Sequence, residues 1–322
     1  MKTGRILLAF GAALALSAFA PARAQEYPAK PIHFVIPFAP GGPADIIARL
    51  TGQQLTELLG QPVVVESRAG AGGNIGAAAV AKSVPDGYTV LVTTSAFAVN
   101  VSLSPNSGYD AERDFIPVAV VAKQANLIFV HPDLPVKTLA ELLALAKTRK
   151  LAFASPGSGT TPHLTAENLF NLISKLDMPA IHFRGAGPSA AAVVAGEPPV
   201  GAGAIATPLP YVKSGRLRAL AVSSAARVAS LPDVPTFAEA GFPGVQDDTW
   251  IGIFLPAGTP PAIVQKLNQS VNQALQNPDM RERLSGLAFE PVGGSTQQFA
   301  GYVKAEIAKW GKVVREGNIK AD

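Results

Sequence analysis

The sequence IHFVIPFAPGGPAD, residues 32–45, joins an apolar run to a glycine- and proline-rich turn and the start of an amphipathic segment. It predicts a strand, a loop and a helix over residues 43–59. In open α/β sheets, ligands bind where a strand ends and a helix begins. The first N–H groups of a helix also favour an anion. The candidate ligand-binding residues in this loop are Phe38, Gly42, Pro43, Ala44 and Asp45. The alternative is a plain turn that Asp45 caps.

Short apolar runs alternate with amphipathic ones along the rest of the chain, which is typical of βαβ units in a mostly parallel sheet. Further strands are predicted at residues 63–66, 88–93, 115–121, 126–130, 151–154, 180–183, 217–222 and 250–255. The length suits two domains. We expect residues 25–124 in a first lobe, 125–246 in a second lobe and 247–322 back in the first. The chain would cross near residues 122–126 and 244–250.

Residues 1–24 have the pattern of a cleavable signal peptide. Lys2 and Arg5 precede an apolar run at residues 6–19, and Ala22 and Ala24 form an A-x-A cleavage box. The run is shorter than the roughly 20 residues that span a bilayer. The chain contains no cysteine, which excludes a lipid-attachment box, disulfides and thiolate metal sites. We therefore expect a soluble protein exported to the periplasm.

The charge of the mature chain excludes some partners. Cleavage after residue 24 would leave 24 basic and 23 acidic residues, and no basic stripe remains to bind nucleic acid. The four histidines, at positions 33, 131, 163 and 182, form no ligand pair. We expect neither a metal nor a cofactor.

A second loop repeats the design of the first. Residues 151–154 read as a strand, a small-residue loop follows, and Thr161 and Pro162 suit the N-cap and first turn of a helix. The hydroxyl and N–H groups suit a carboxylate held by neutral donors, although a flexible surface turn is an alternative. The candidates are Ser155, Gly157, Ser158, Thr160, Thr161 and His163. His163 could instead serve packing or capping.

Two enzyme-like motifs fail on spacing. Residues 67–76 are glycine-rich, but Ile75 stands where a dinucleotide-binding G-x-G-x-x-G motif needs its last glycine. We read this stretch as a tight helix entrance. Ser158 lacks the outer glycines of a G-x-S-x-G nucleophile motif. A periplasmic serine hydrolase is a remote alternative, and we expect no enzyme activity.

Seven motifs follow one another along the mature chain: YPAKPI at 27–32, the 37–45 loop, ESRAGAGG at 66–73, PDGYT at 85–89, GRLRALAV at 215–222, PDVPT at 232–236 and PAGTP at 256–260. In this order they resemble those of the Bug, or TctC-like, substrate-binding proteins of tripartite tricarboxylate transporters. The resemblance implies a two-lobed periplasmic binding fold whose two loops pinch a carboxylate. It also implies that Thr94 and Ser95 face the cleft and that residues 203–207, with Ala204 and Ile205, form the far wall.

One departure from that family bears on the ligand. Members often carry an acidic segment where this chain has PVGAGAIA at 199–206. An amino-acid ligand needs a partner for its ammonium group, because an unpaired buried charge is costly. We therefore expect a small carboxylate, leaning to an aromatic acid or dicarboxylate such as terephthalate. The resemblance also implies membrane partners of the TctA and TctB type, and we expect a monomer. A sensor that presents its ligand to a receptor kinase is the other alternative.

Overall fold

Parallel strands form one end of the sheet. The computed structural model describes residues 27–104, 106–316 and 319–320, so the predicted signal peptide lies outside it. Strand β1 (Ile32–Ile36) pairs in parallel with β2 (Val63–Ser67) and β3 (Thr89–Thr94). Helix α1 (Pro43–Leu59) connects β1 to β2. It has the predicted bounds.

Two short helices complete this region. A 3₁₀ turn at Ala71–Gly73 leads into α2 (Asn74–Ala81), as the glycine-rich stretch predicted. Helix α3 (Ala96–Leu103) follows β3 directly and was not predicted, because its sequence carries no amphipathic period. Its buried residues pack on all sides, which removes the polar face that marks a surface helix.

A single long strand, β4 (Phe115–Val130), runs through the middle of the molecule. Its first part pairs with the returning strand β9 (Asp248–Pro256), and residues 126–130 pair with β7 (Val200–Ala204) and β8 (Arg218–Val222). The prediction of two strands separated at residues 122–125 is wrong. The polar residues there have partners: Lys123 Nζ lies 3.7 Å from Asp248, and Gln124 Oε1 accepts a hydrogen bond from Ala206 N.

The second group of parallel strands comprises β5 (Phe153–Ser155), β6 (Ala180–His182) and β7. The strand order is β2-β1-β3-β9-β4-β7-β5-β6, and β8 and β10 (Glu290–Gly293) also pair with β4. The sheet is thus mixed, whereas the sequence predicted mostly parallel sheets. Every strand that pairs with β4, the returning strand β9 included, is antiparallel to it.

Helices cover both faces of the strands. The second lobe contains α4 (Leu139–Ala146), α5 (Thr161–Glu167) with a π-helical continuation at Asn168–Ile173, α6 (Ala186–Val194) and α7 (Leu209–Lys213). The C-terminal part contains α8 (Pro261–Ala274), α9 (Pro278–Gly286) and α10 (Thr296–Glu316). Strands covered on both faces read as continuous apolar runs, which is why most were predictable.

Polar side chains cap the N-termini of several helices. Thr138 accepts a hydrogen bond from Glu141 N, and Ser295 and Gln298 form a reciprocal capping box at the start of α10. Both have the Ser/Thr-x-x-Glu/Gln pattern of a capping box. The predicted N-cap of α5 is wrong: Thr160, whose backbone is extended, holds that position, and Thr161 is already the first helical residue.

The C-terminal helix packs against the first group of strands. Trp250 on β9 and Trp310 on α10 both donate their indole N–H to the same carboxylate oxygen of buried Glu306, at 3.0 and 2.9 Å. Phe299 and Val303 join the same apolar cluster. These contacts favour the proposed return of the chain to the first lobe. The exact lobe boundaries remain a proposal.

Candidate functional site

A cavity lies between the two lobes, at the carboxyl ends of the parallel strands. It encloses about 360 Å³ of atom-free space, its mouth included. Residues from both halves line it: Phe38, Gly42, Pro43, Ala44, Thr94, Pro156, Thr160, Pro162, Ala186, Ala204 and Thr249. Seven of these were predicted from the sequence. Pro156, Pro162, Ala186 and Thr249 were not. None of the lining residues carries a charge.

The N-terminus of α1 forms one side of the cavity. Gly41 adopts φ +83°, a left-handed conformation that glycine accepts without strain. Its N–H donates to Asp45 Oδ2 at 2.9 Å, while Asp45 Oδ1 accepts from Arg49 Nε at 2.8 Å. Asp45 therefore shapes the loop, and its charge is paired within the protein. The next N–H groups, at Gly42 and Ala44, have no partner inside the helix by its geometry.

The N-terminus of α6 forms the opposite side. Ala39 N donates to the carbonyl of Arg184 at 2.8 Å, which holds the two loops together. Gly185, at φ +149°, turns the chain into the helix, and Ala186 reaches the cavity. Two helix N-termini from opposite lobes thus converge on one small space, which favours a negatively charged group there.

The second predicted loop contributes differently along its length. Thr160 lines the cavity, and its hydroxyl donates to the carbonyl of Gly157 at 2.8 Å. Ser155 Oγ lies 3.0 Å from His182 Nδ1 and also receives the Gly157 N–H. Ser155 and Gly157 therefore fix the loop from beneath. Ser158 Oγ is buried and has no hydrogen-bond partner among the described residues.

Hydroxyl groups form a buried chain at the base of the cleft. Ser95 Oγ lies 3.0 Å from Thr161 Oγ1, which lies 2.6 Å from Thr249 Oγ1. Thr249 in turn donates to Asn126 Oδ1 at 2.7 Å. Thr94 and Thr249 line the cavity, whereas Ser95 and Thr161 do not. Two predicted ligand contacts thus bind each other across the lobes.

The hydrogen bonds of Asn126 continue into the hinge. Its side chain donates to Asp247 at 2.6 Å and to Thr165 Oγ1 at 3.1 Å. Burial raises the pKa of Asp247, against hydrogen bonds from Thr165, Asn126 and Ser223. The network therefore joins α5 to both crossing strands.

His163 lies below the second loop and does not line the cavity. It is 4% exposed, and its Nδ1 accepts the Gly159 N–H at 3.3 Å. That bond places the proton of the neutral ring on Nε2, which lies 3.8 Å from Glu167. Burial, and secondly the nearby His182, lower the pKa of His163 to about 3. His163 is therefore neutral at neutral pH and supports the loop.

The far wall is small and apolar. Ala204 lines the cavity, while Ile205 is fully buried behind it. The part of the chain that the structure describes contains no group of three or more His, Cys, Asp or Glu residues able to hold a metal. It also contains no helix with the length and apolar character needed to cross a membrane.

Comparisons with known proteins agree with this geometry. Residues 47–319 match the family model described as the tripartite tricarboxylate transporter family receptor, TctC. The periplasmic binding protein BugD is 30% identical, with a TM-score of 0.88 over 92% of this chain and 100% of its own. An R. palustris protein solved with adipate is 34% identical, with a TM-score of 0.89 over 92% of this chain and 100% of its own.

A third structure, MatC from Rhodopseudomonas palustris with bound malate, is 35% identical. Its TM-score is 0.83 over 89% of this chain and 100% of its own. The family match and these structures confirm the predicted two-lobed periplasmic binding fold. The chain belongs to the TctC family, the receptors of tripartite tricarboxylate transporters.

Proposed function

We propose that this protein captures a small carboxylate in the cleft between its lobes. The observation that carries the proposal is the pair of helix N-termini, α1 and α6, that face each other across one uncharged cavity. Backbone N–H groups there can hold a carboxylate without a cationic side chain. The hydroxyls of Thr94, Thr160 and Thr249 add neutral donors.

The lining favours a carboxylate with an apolar body. Phe38 and three prolines flank the cavity, and Ala186 and Ala204 leave space that larger side chains would fill. The relatives solved with adipate and malate support a dicarboxylate. An aromatic acid such as terephthalate is the finer proposal, since Phe38 and the prolines offer apolar surface to a ring. An amino acid is disfavoured, because no lining residue could pair its ammonium group.

We further propose that the protein works in the periplasm as a monomer and delivers its ligand to membrane subunits of the TctA and TctB type. A ligand that contacts both lobes stabilises the closed form by its differential affinity, and the membrane partners would bind that form. A sensor that presents its ligand to a receptor kinase would close in the same way. Uptake of the ligand into vesicles that carry the membrane subunits distinguishes these two functions, because only a transport receptor stimulates uptake.

A hydrolase that uses Ser158 is not favoured. The Ser158 hydroxyl forms no hydrogen bond within the described residues, so no histidine among them is placed to activate it. Turnover of ester substrates that disappears in Ser158→Ala would reverse this view.

The test is a thermal-shift screen of aliphatic and aromatic mono- and dicarboxylates against amino acids. A ligand at 100 times its Kd stabilises the folded state by about 2.7 kcal/mol, which raises the unfolding midpoint. We expect a dicarboxylate or aromatic acid to give the largest rise. An amino acid that gives the largest rise, or no response to any carboxylate, would refute the proposal.

A further inference from the structure

Gln124 is a buried polar side chain that belongs to neither of the two candidate loops. It is 3% exposed and lies on β4, where it pairs with Thr249 of β9. Two residues further along β4, Asn126 pairs with Ala204 of β7. Paired residues, and residues two apart on one strand, share a face of the sheet. Gln124 therefore lies on the face that carries Thr249 and Ala204, both of which line the cleft, although Gln124 is not itself one of the lining residues.

The amide of Gln124 is fixed in one orientation. Its Oε1 accepts the backbone N–H of Ala206 at 2.7 Å. Rotating the amide by half a turn would bring its NH₂ group against that N–H, and two donors cannot bond each other. The side chain therefore presents only its NH₂ group away from Ala206. That nitrogen is buried and has no hydrogen-bond partner among the described residues.

We propose that Gln124 Nε2 donates a hydrogen bond to an oxygen of the bound solute, and so sets which chemical group the floor of the cleft accepts. The inference rests on the proposed function of this cleft. A carboxylate or carbonyl oxygen pairs with the locked donor. A group that can only donate, such as an ammonium, leaves it unpaired, and sites with buried polar groups reject ligands that leave them unpaired.

The test compares wild type with Gln124→Glu by calorimetry. Succinate, glutarate, adipate and terephthalate are titrated first, and the tightest binder is then compared with its monoamide. Gln124→Glu keeps an oxygen for Ala206 N but replaces the NH₂ donor with a second carboxylate oxygen, which can only accept when ionised. We expect the diacid to lose roughly 10- to 100-fold in affinity, and the monoamide, which can donate, to lose at least about tenfold less.

A second variant separates recognition from folding. Gln124→Met removes the donor without adding charge, and should weaken the diacid about tenfold with no gain for the monoamide. Gln297→Glu, at an exposed position on α10, adds the same charge away from the cleft and should change nothing. Circular dichroism confirms that each variant folds.

The outcomes distinguish the two claims. If wild type binds a diacid and both Gln124 variants bind it with wild-type affinity and selectivity, Gln124 is not a ligand contact, and the proposed function stands. If wild type binds none of the four acids, both the proposed function and this inference are refuted.

Discussion

The hydroxyl oxygens of Ser95 and Thr161 lie 3.0 Å apart, so the end of β3 and the start of α5 share a buried hydrogen bond across the two lobes. Thr161 also binds Thr249 on the returning strand. Because separated lobes cannot form the first of these bonds, it stabilises the closed form by about 0.5–1.5 kcal/mol. Side chains therefore contribute to holding the cleft closed.

Thr161→Val tests that bond with a side chain of the same shape. It removes two buried hydrogen bonds and leaves the hydroxyls of Ser95 and Thr249 short of a partner. We expect about 1–3 kcal/mol less stabilisation of the closed form, and hence roughly 5- to 150-fold weaker carboxylate binding by calorimetry.

Thr148→Val serves as its control, because Thr148 is exposed and its hydroxyl donates to the nearby Leu145 carbonyl. Equal affinities for the two variants would show that the Thr161 hydroxyl does not support closure.

Gly72→Ala tests how closely the lobes approach. Gly72 adopts φ +62°, and a Cβ there would lie 2.4 Å from the carbonyl oxygen of Ser158 in the opposite lobe. We expect the clash to hold the cleft open, lower affinity at least about tenfold and enlarge the liganded protein in small-angle scattering.

Gly60→Ala provides a matched comparison. Gly60 has a similar φ of +69° but nothing within 4 Å of an added Cβ. Gly60→Ala should introduce the same backbone strain but leave the carboxylate affinity unchanged. Similar losses of affinity in both variants would mean that backbone strain, and not lobe contact, is responsible.

Ser158→Ala separates ligand contact from folding. The Ser158 hydroxyl is buried without a protein partner, so its removal should leave the free energy of unfolding of the unliganded protein unchanged or slightly higher. Carboxylate affinity should fall about tenfold if the hydroxyl donates to the ligand.

Ser174 has the same kind of unpaired buried hydroxyl beyond the end of α5, so Ser174→Ala should leave both quantities unchanged. Unchanged affinity in Ser158→Ala would remove this hydroxyl from the binding site.

The stability of the protein should fall in mild acid because of His163. Its folded pKa of about 3 lies below the ordinary value of 6.5, so between these pH values only the unfolded chain binds the proton. At about pH 4.5 this lowers the free energy of unfolding by about 3 kcal/mol relative to neutral pH.

His163→Gln can still accept the Gly159 N–H but does not titrate. Urea unfolding at about pH 7 and pH 4.5 should therefore show a smaller acid loss in the variant, by about 3 kcal/mol. The same loss in both proteins would show that His163 is not held neutral by burial.

Structure could be predicted from the sequence where residues close together along the chain determine it. The first binding loop was predictable because an apolar strand, a Gly-Gly turn and an amphipathic helix follow each other within 28 residues, from Ile32 to Leu59. The capping boxes at Thr138 and Ser295 were predictable for the same reason.

The parts that depend on contacts between distant segments were not predictable. Ala186 reaches the cleft only because Gly185 turns sharply and Ala39 holds the Arg184 carbonyl. Thr249 faces the cleft because of its register with Gln124 on another strand. His163 carries a ligand-like side chain, but burial beneath the loop decides its role.

A crystal structure of the protein with its tightest-binding carboxylate tests the central claim most directly. We predict that one carboxylate group lies between the N-termini of α1 and α6, with its oxygens within about 3 Å of backbone N–H groups or of one ordered water that bridges to them. A solute bound outside this cavity, or a carboxylate that contacts only one lobe in the closed state, would contradict the account.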